Sequence, residues 1–324
     1  MHRRPPPLRG HRRGGRRPVA GTRRAAGGEP PRHRPLTGRA GPRVAAVGGG
    51  HGLAASLRAA RRYAGEITAV VAVADDGGSS GRLRESIALP PPGDLRKCLD
   101  ALAAEDSLLA RSLDHRFDGG ELEGHALGNL LLIGLADAGG DFQAAVDEVG
   151  RLVGAVGRVL PATTEPVVLK AVVGGDEVAG QVAVSNAAGI TRVSLTPPDP
   201  PAAPGVVAAI EAADQVVIGP GSLYTSVLAA VAVPGVRDAL ARTRARKVYV
   251  CNLAPQVPET AGYGAGDHVR ALRAHGLDVD VVVCHEGGLP TDGLDVEAVV
   301  RPIARARGLA HDPALLSDVL ADLV

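Results

Sequence analysis

The chain has 324 residues and a net charge of +1, with 45% hydrophobic residues, 2% aromatic residues and no Trp. That length and apolar content suit one large α/β domain or two smaller ones with a core of Ala, Val, Leu and Ile, and so few aromatic rings exclude a surface that stacks nucleic-acid bases. Cys98, Cys251 and Cys284 are odd in number, widely spaced and set among apolar residues, which excludes a disulfide framework and any recognisable zinc site.

Charge is divided unevenly along the chain. Residues 1–43 carry thirteen Arg and a single acid, Glu29, which leaves 23 basic residues against 34 acidic ones in the remainder. A segment so rich in Arg, Pro and Gly cannot bury enough apolar surface to fold alone, so residues 1–42 are expected to form a disordered tail. The tail reads either as an arm for nucleic acid or a membrane surface, or as a solvated extension. It has no apolar signal region, and no later run reaches about 18 apolar residues, so membrane insertion is not expected and a cytoplasmic location is.

Residues 43–324 are expected to form one α/β domain. Arg43 to Val47 predicts a short strand, which runs into Gly48, Gly49, Gly50, His51 and Gly52 and then a helix with Leu53, Leu57 and Ala60 on one side. Strand, glycine-rich turn and helix is the arrangement in which a helix N-terminus receives a phosphate. The dinucleotide fingerprint would place a third glycine at position 53, where this chain has Leu, which counts against a nicotinamide dehydrogenase.

Ile67 to Val73 predicts a strand buried on both faces, because it lacks polar alternation. It ends in Asp75, Asp76, Gly77, Gly78, Ser79 and Ser80, where carboxylates suit sugar hydroxyls or a divalent ion and the glycines let a ligand approach. Mg2+ is the candidate ion, at Asp75 and Asp76. Arg82 and Arg84 on the next helix reach toward phosphates or form a solvated face. Pro90 to Gly93 leads into a helix bearing Leu95, Leu99 and Leu102, with Asp94 as a helix cap or a ligand contact. Residues 121–138 predict an apolar helix beginning with His125, Gly128 and Asn129. His125 reads as a ligand contact or a structural hydrogen bond, and Asn129 as facing the ligand.

After a helix over 141–153 the texture changes to short strands at 159–160, 167–173, 178–184 and 190–195, which predicts a β-rich insertion over 157–196. The alternating pattern then resumes with a helix through Ile210 and a strand from Gln215 to Ile218. That strand ends in Gly219, Gly221, Ser222 and Thr225, a second candidate anion cradle on the same sheet edge. The strand Val248 to Val250 finishes at Cys251 and Asn252, and the loop with Glu259, Thr260 and Tyr263 is long enough to cover a site. A last strand is expected at 279–284, followed by an amphipathic tail. The fold class expected is α/β, a Rossmann-like parallel sheet with helices on both faces and a small inserted β-rich subdomain.

VGGGHGL, ADDGGSSGRLR, PPGDLR, GHALGNLLL, GRVLPAT, IGPGSLYTS, VYVCN and ETAGYGAGDHVRAL follow one another from Val44 to about Leu272. In this order they resemble the YvcK-type gluconeogenesis factor family, with His51 resembling its actinobacterial branch. That family is related to the CofD-type 2-phospho-L-lactate transferases. The resemblance implies a cytoplasmic protein with a deep cleft that binds UDP-sugars such as UDP-N-acetylglucosamine and is needed for cell shape and gluconeogenic growth. It also implies a cell-wall or carbon-metabolism protein as partner, and a homo-oligomer is a candidate assembly. By motif, Gly48 to Gly52 would approach the nucleotide phosphates, Asp75 and Asp76 the nucleotide or a divalent ion, and Asn129 and Gly219 to Ser222 would complete the cleft. Asp94 matches a deazaflavin-contacting aspartate of the transferases. An enzyme of that type would rely on Asp94 and Asp76.

Overall fold

A computed structural model describes residues 40–86, 89–306, 308 and 310–324, and for residues 83–86 the backbone alone. The expected tail of residues 1–42 therefore lies almost wholly outside the described residues, as does the side chain of Arg84.

The first strand, β1 (Arg43–Gly48), is buried from Val44 onward, as its unbroken apolar run requires of an interior strand. Helix α1 (Gly50–Ala60) buries Leu53, Leu57 and Ala60 and leads to β2 (Glu66–Val71), which pairs in parallel with β1. Helices α2 (Gly78–Ser86), α3 (Gly93–Leu102), α4 (Leu108–Leu113), α5 (Leu127–Gly139) and α6 (Phe142–Leu152) precede β3 (Arg158–Pro161). Strand β3 pairs in parallel with β2, with Val159 and Leu160 buried, so it belongs to the main sheet. The β-rich insertion predicted from residue 157 thus starts later, at β4 (Val168–Val173).

Strand β4 lies between β5 (Asp176–Ala179) and β6 (Ile190–Thr196) in a three-stranded antiparallel sheet. The strand expected over 178–184 stops at Ala179. Gly180 has φ 98°, which turns the chain out of the ladder, and α7 (Gln181–Ser185) follows.

The parallel pattern returns with α8 (Val206–Glu211), β7 (Gln215–Ile218), a π-helical turn over Leu223–Val227, α9 (Leu228–Val231), α10 (Pro234–Arg242) and β8 (Arg246–Val250). Helix α11 (Ala265–Ala274), β9 (Val281–His285), β10 (Glu297–Arg301) and α12 (Pro313–Ala321) complete the chain. The seven strands of the main sheet take the order β10-β9-β8-β7-β1-β2-β3, all parallel. Strand β10 was not expected. It is an edge strand whose residues are mostly exposed, so it carries none of the apolar regularity that marks the interior strands. Helix α12 packs on α1 and is anchored where Gln215 Nε2 donates to the Leu320 carbonyl at 2.8 Å.

No single helix among the described residues is long and apolar enough to cross a membrane. Cys98, Cys251 and Cys284 are buried free thiols.

His268 on α11 is fully buried, with Nδ1 2.7 Å from the Tyr249 hydroxyl, and burial lowers its pKa to about 4. His311, bonded to the Cys251 carbonyl, is likewise lowered to about 4, chiefly by burial. The unfolded chain takes up these protons below the ordinary value of 6.5, whereas the folded chain resists until about 4. Stability from the two imidazoles is therefore complete above 6.5 and lost as pH falls through 4, on the order of 3 kcal/mol for each. Urea unfolding from pH 7 to 4 should show this loss, and His268→Gln should flatten it.

Candidate functional site

Strand β1 is the point where the sheet changes direction, with β2 on one side and β7 on the other, and the crevice outside their carboxyl ends is where such sheets receive ligands. The chain leaves β1 through Gly48 at φ 152°, and Gly50, at φ 66°, opens α1. No side chain caps α1, and the amides of Gly50, His51 and Gly52 meet no acceptor among the described residues. These are orphan donors at the positive end of an eleven-residue helix. Gly52 is required for a different reason. A Cβ there would lie 2.3 Å from the Pro220 carbonyl oxygen, so the loops after β1 and β7 touch backbone to backbone.

Asp94 lies against this glycine turn. A Cβ on Gly49 would come within 2.6 Å of its carboxylate, and Lys97 Nζ pairs with it at 2.9 Å. Pro92, not Asp94, takes the cap position of α3, so Asp94 faces the turn and not its own helix end. His51, at the exposed start of α1, has its pKa lowered by burial and by the nearby Lys97 charge.

The two acids after β2 diverge. Asp75 accepts from the Gly77 amide at 2.9 Å, and burial, with the Asp94 charge adding to it, pushes its pKa up against the hydrogen bonds from Gly77 and Ser80. Asp76 turns the other way. Its two oxygens accept from the amides of Gln181 and Val182, each at 2.9 Å, so it caps α7 and ties the antiparallel subdomain to the main sheet. Asp76, expected with Asp75 to meet the nucleotide or Mg2+ or to react, thus has each of its carboxylate oxygens accepting one backbone amide from α7. Among the described residues no three His, Cys, Asp or Glu side chains converge on a metal position. Gly78, with φ 53° and open space where a Cβ would go, is needed for its backbone conformation and not for close approach.

Asn129 is buried on α5 and donates from Nδ2 to Ser79 Oγ at 3.1 Å, while its Oδ1 accepts from Arg96 Nε at 3.0 Å. Ser79 Oγ also lies 3.1 Å from His125 Nδ1, and Arg96 forms an ion pair with Asp114. Asn129, expected to face the ligand, thus holds the start of α2 against α3 and α5. His125 lies in the turn before α5, not inside it. Arg96, only 3% exposed, was missed by sequence reasoning although it stands inside PPGDLRK. The available signal was Gly128 beside Asn129: a Cβ there would strike the Arg96 stem at 2.8 Å.

The loop after β7 differs most from expectation. Gly219, at φ 71°, and Gly221, at φ 145°, shape a turn of the anion-cradle kind, but several of its donors already have internal partners. The Gly221 amide donates to Asn252 Oδ1 at 3.1 Å. The Glu259 carboxylate accepts from Ser222 Oγ at 2.6 Å and from the Tyr224 amide at 2.7 Å, while the Thr225 amide donates to Ser222 Oγ at 3.1 Å. Glu259 is 4% exposed, and burial raises its pKa against these bonds. The second cradle is therefore filled by the protein's own carboxylate, which arrives from the loop predicted to cover the site. The sequence did not mark Glu259 as that occupant.

Gly48 to Gly52, Asp75, Asp94, Gly219 and Gly221 thus meet at one rim. Asp76, Asn129, Ser222 and Asn252 lie around it with their polar groups bonded internally. The sequence profile described as 2-phospho-L-lactate transferase CofD matches residues 44–318. A Halalkalibacterium halodurans protein named "Gluconeogenesis factor" is 45% identical over 246 residues, covering 74% of this chain and 76% of its own. A Bacillus subtilis protein of the same name is 44% identical over 237 residues, covering 72% of this chain and 75% of its own. The crystal structure of a UPF0052-family protein from Bacillus halodurans superposes with a TM-score of 0.83 at 38% identity, over 87% of this chain and 99% of that one.

Proposed function

The chain belongs to the CofD family, and from that premise we propose that it is a nucleotide-sugar-binding regulator whose ligand lays its diphosphate on the N-terminus of α1. The observation that carries this reading is the uncapped set of amides at Gly50, His51 and Gly52, beside a second turn that Glu259 has closed. The relatives named gluconeogenesis factor support a role in carbon partition, and a UDP-sugar such as UDP-N-acetylglucosamine is the ligand class this reading assigns. The occupied form acts in the cytoplasm through a protein partner in cell-wall synthesis or carbon metabolism, which links the ligand to cell shape during gluconeogenic growth. Calorimetric titration with UDP-N-acetylglucosamine should give saturable heat. No heat at millimolar ligand discards the reading.

A second reading is favoured by the position of Asp94 against Gly49 and Gly50 and by the description of the matching family. In it the protein transfers a phospholactyl-type group from a nucleotide diphosphate donor to a deazaflavin acceptor, with Asp94 orienting the acceptor hydroxyl. Such chemistry proceeds largely by positioning and charge neutralisation. Incubation with Mg2+, donor and deazaflavin should then release nucleotide, and Asp94→Asn should abolish release. No release by the native chain removes this reading and leaves the first intact.

A further inference from the structure

Helices α1 and α3 both begin at the crevice and run back along the sheet. Between their far ends, α4 and the start of α12 lies a cavity of about 630 Å³ lined by Arg58, Arg61, Arg62, Asp100, Glu105 and Arg111. Four guanidinium groups face two carboxylates there, a positive surface on a body that is otherwise acidic.

Two of the arginines have internal work. Arg58 pairs with Asp100 at 2.7 Å, and Arg61 donates to the carbonyls of Ala101 at 3.0 Å and Ala103 at 2.8 Å at the end of α3. Arg62 and Arg111, exposed in the turn that follows α1 and on α4, have side chains with no hydrogen-bond or ion-pair partner among the described residues. Arginines that only satisfied helix ends would stop at Arg61. Here two more guanidinium forks flank the cavity, and the two pinned ones hold it open at little ordering cost.

We infer that this cavity is a second ligand site, distinct from the crevice, which takes a compact oxyanion of at least two charges between Arg62 and Arg111. A pocket of this size takes a small molecule, not a polypeptide, and planar guanidinium groups match phosphate and carboxylate oxygens two at a time. Phosphate and polycarboxylate metabolites share that chemistry.

The test is calorimetric titration of the full chain with inorganic pyrophosphate in one arm and citrate in the other. The native chain should bind at least one of them at millimolar concentration or below, and which one separates the phosphate source from the carboxylate source. Arg62→Ala/Arg111→Ala, which breaks no internal bond, should weaken that binding about tenfold or more. Circular dichroism and the urea midpoint check that the double variant is folded. Native binding that the double variant retains undiminished places the anion elsewhere, in the crevice included, and overturns the inference. Absence of binding by either probe at millimolar concentration overturns it as well. Because neither probe carries a base or a sugar, failure here leaves the nucleotide-sugar reading of the crevice untouched.

Discussion

Gly52→Val is expected to lower the unfolding free energy by on the order of 4 kcal/mol and to remove ligand binding at the crevice. The Cβ would sit 2.3 Å from the Pro220 oxygen, 2.6 Å from the Pro220 carbonyl carbon and 2.8 Å from the Gly221 amide nitrogen. All three are backbone atoms, so no side chain can swing aside. Either α1 shifts along its axis or the loop after β7 moves outward. Both elements are fixed from behind, since Ser56 Oγ on α1 donates to the Gly219 carbonyl at 2.7 Å and the Gly219 amide donates to the Val47 carbonyl at 2.9 Å. Urea unfolding measures the loss. Gly134→Ala on α5 is the control: that glycine is exposed with open space around it, and alanine there should stabilise the helix by about 0.5–1 kcal/mol. Equal midpoints for Gly52→Val and the native chain would show that the two loops do not touch.

Glu259→Ala is expected to cost a similar amount, on the order of 4 kcal/mol, by a different route. Removal of the carboxylate leaves the buried Tyr224 amide without its acceptor and takes from the Ser222 hydroxyl its carboxylate partner. The same change reopens an anion cradle, so inorganic phosphate should raise the melting temperature of the variant by more than it raises that of the native chain. The comparison is internal to the pair, so a phosphate bound elsewhere on both proteins cancels. An equal response in the two would mean that Glu259 does not stand where an anion fits. Burial raises the Glu259 pKa, so the folded chain holds this proton more firmly than the unfolded one. Its contribution to stability is complete below the ordinary carboxyl range and is lost as pH rises through the raised value, opposite in sign to the His268 and His311 effect.

The parallel sheet was legible because its strands are uniform: Val44 to Val47, Ile67 to Val71 and Val281 to Cys284 are continuous buried runs. Strand β10 lacked that signature since an exposed edge needs no apolar face. The glycine turns after β1 and β7 were legible for a local reason too, since positive φ at Gly48, Gly50, Gly219 and Gly221 selects the residue type directly.

What the chain's own order determined, then, is the class of fold, the sheet edge that bears the site and the backbone turns that shape it, because each depends on residues a few positions apart. Tertiary structure alone decided which polar side chains remain available there. Asp76 meets the amide of Gln181 across 105 positions, Asn129 meets Ser79 across 50, and Ser222 meets Glu259 across 37. A carboxylate reads the same in sequence whether its partner is a ligand or a distant amide, and only the fold brings that partner within hydrogen-bond reach.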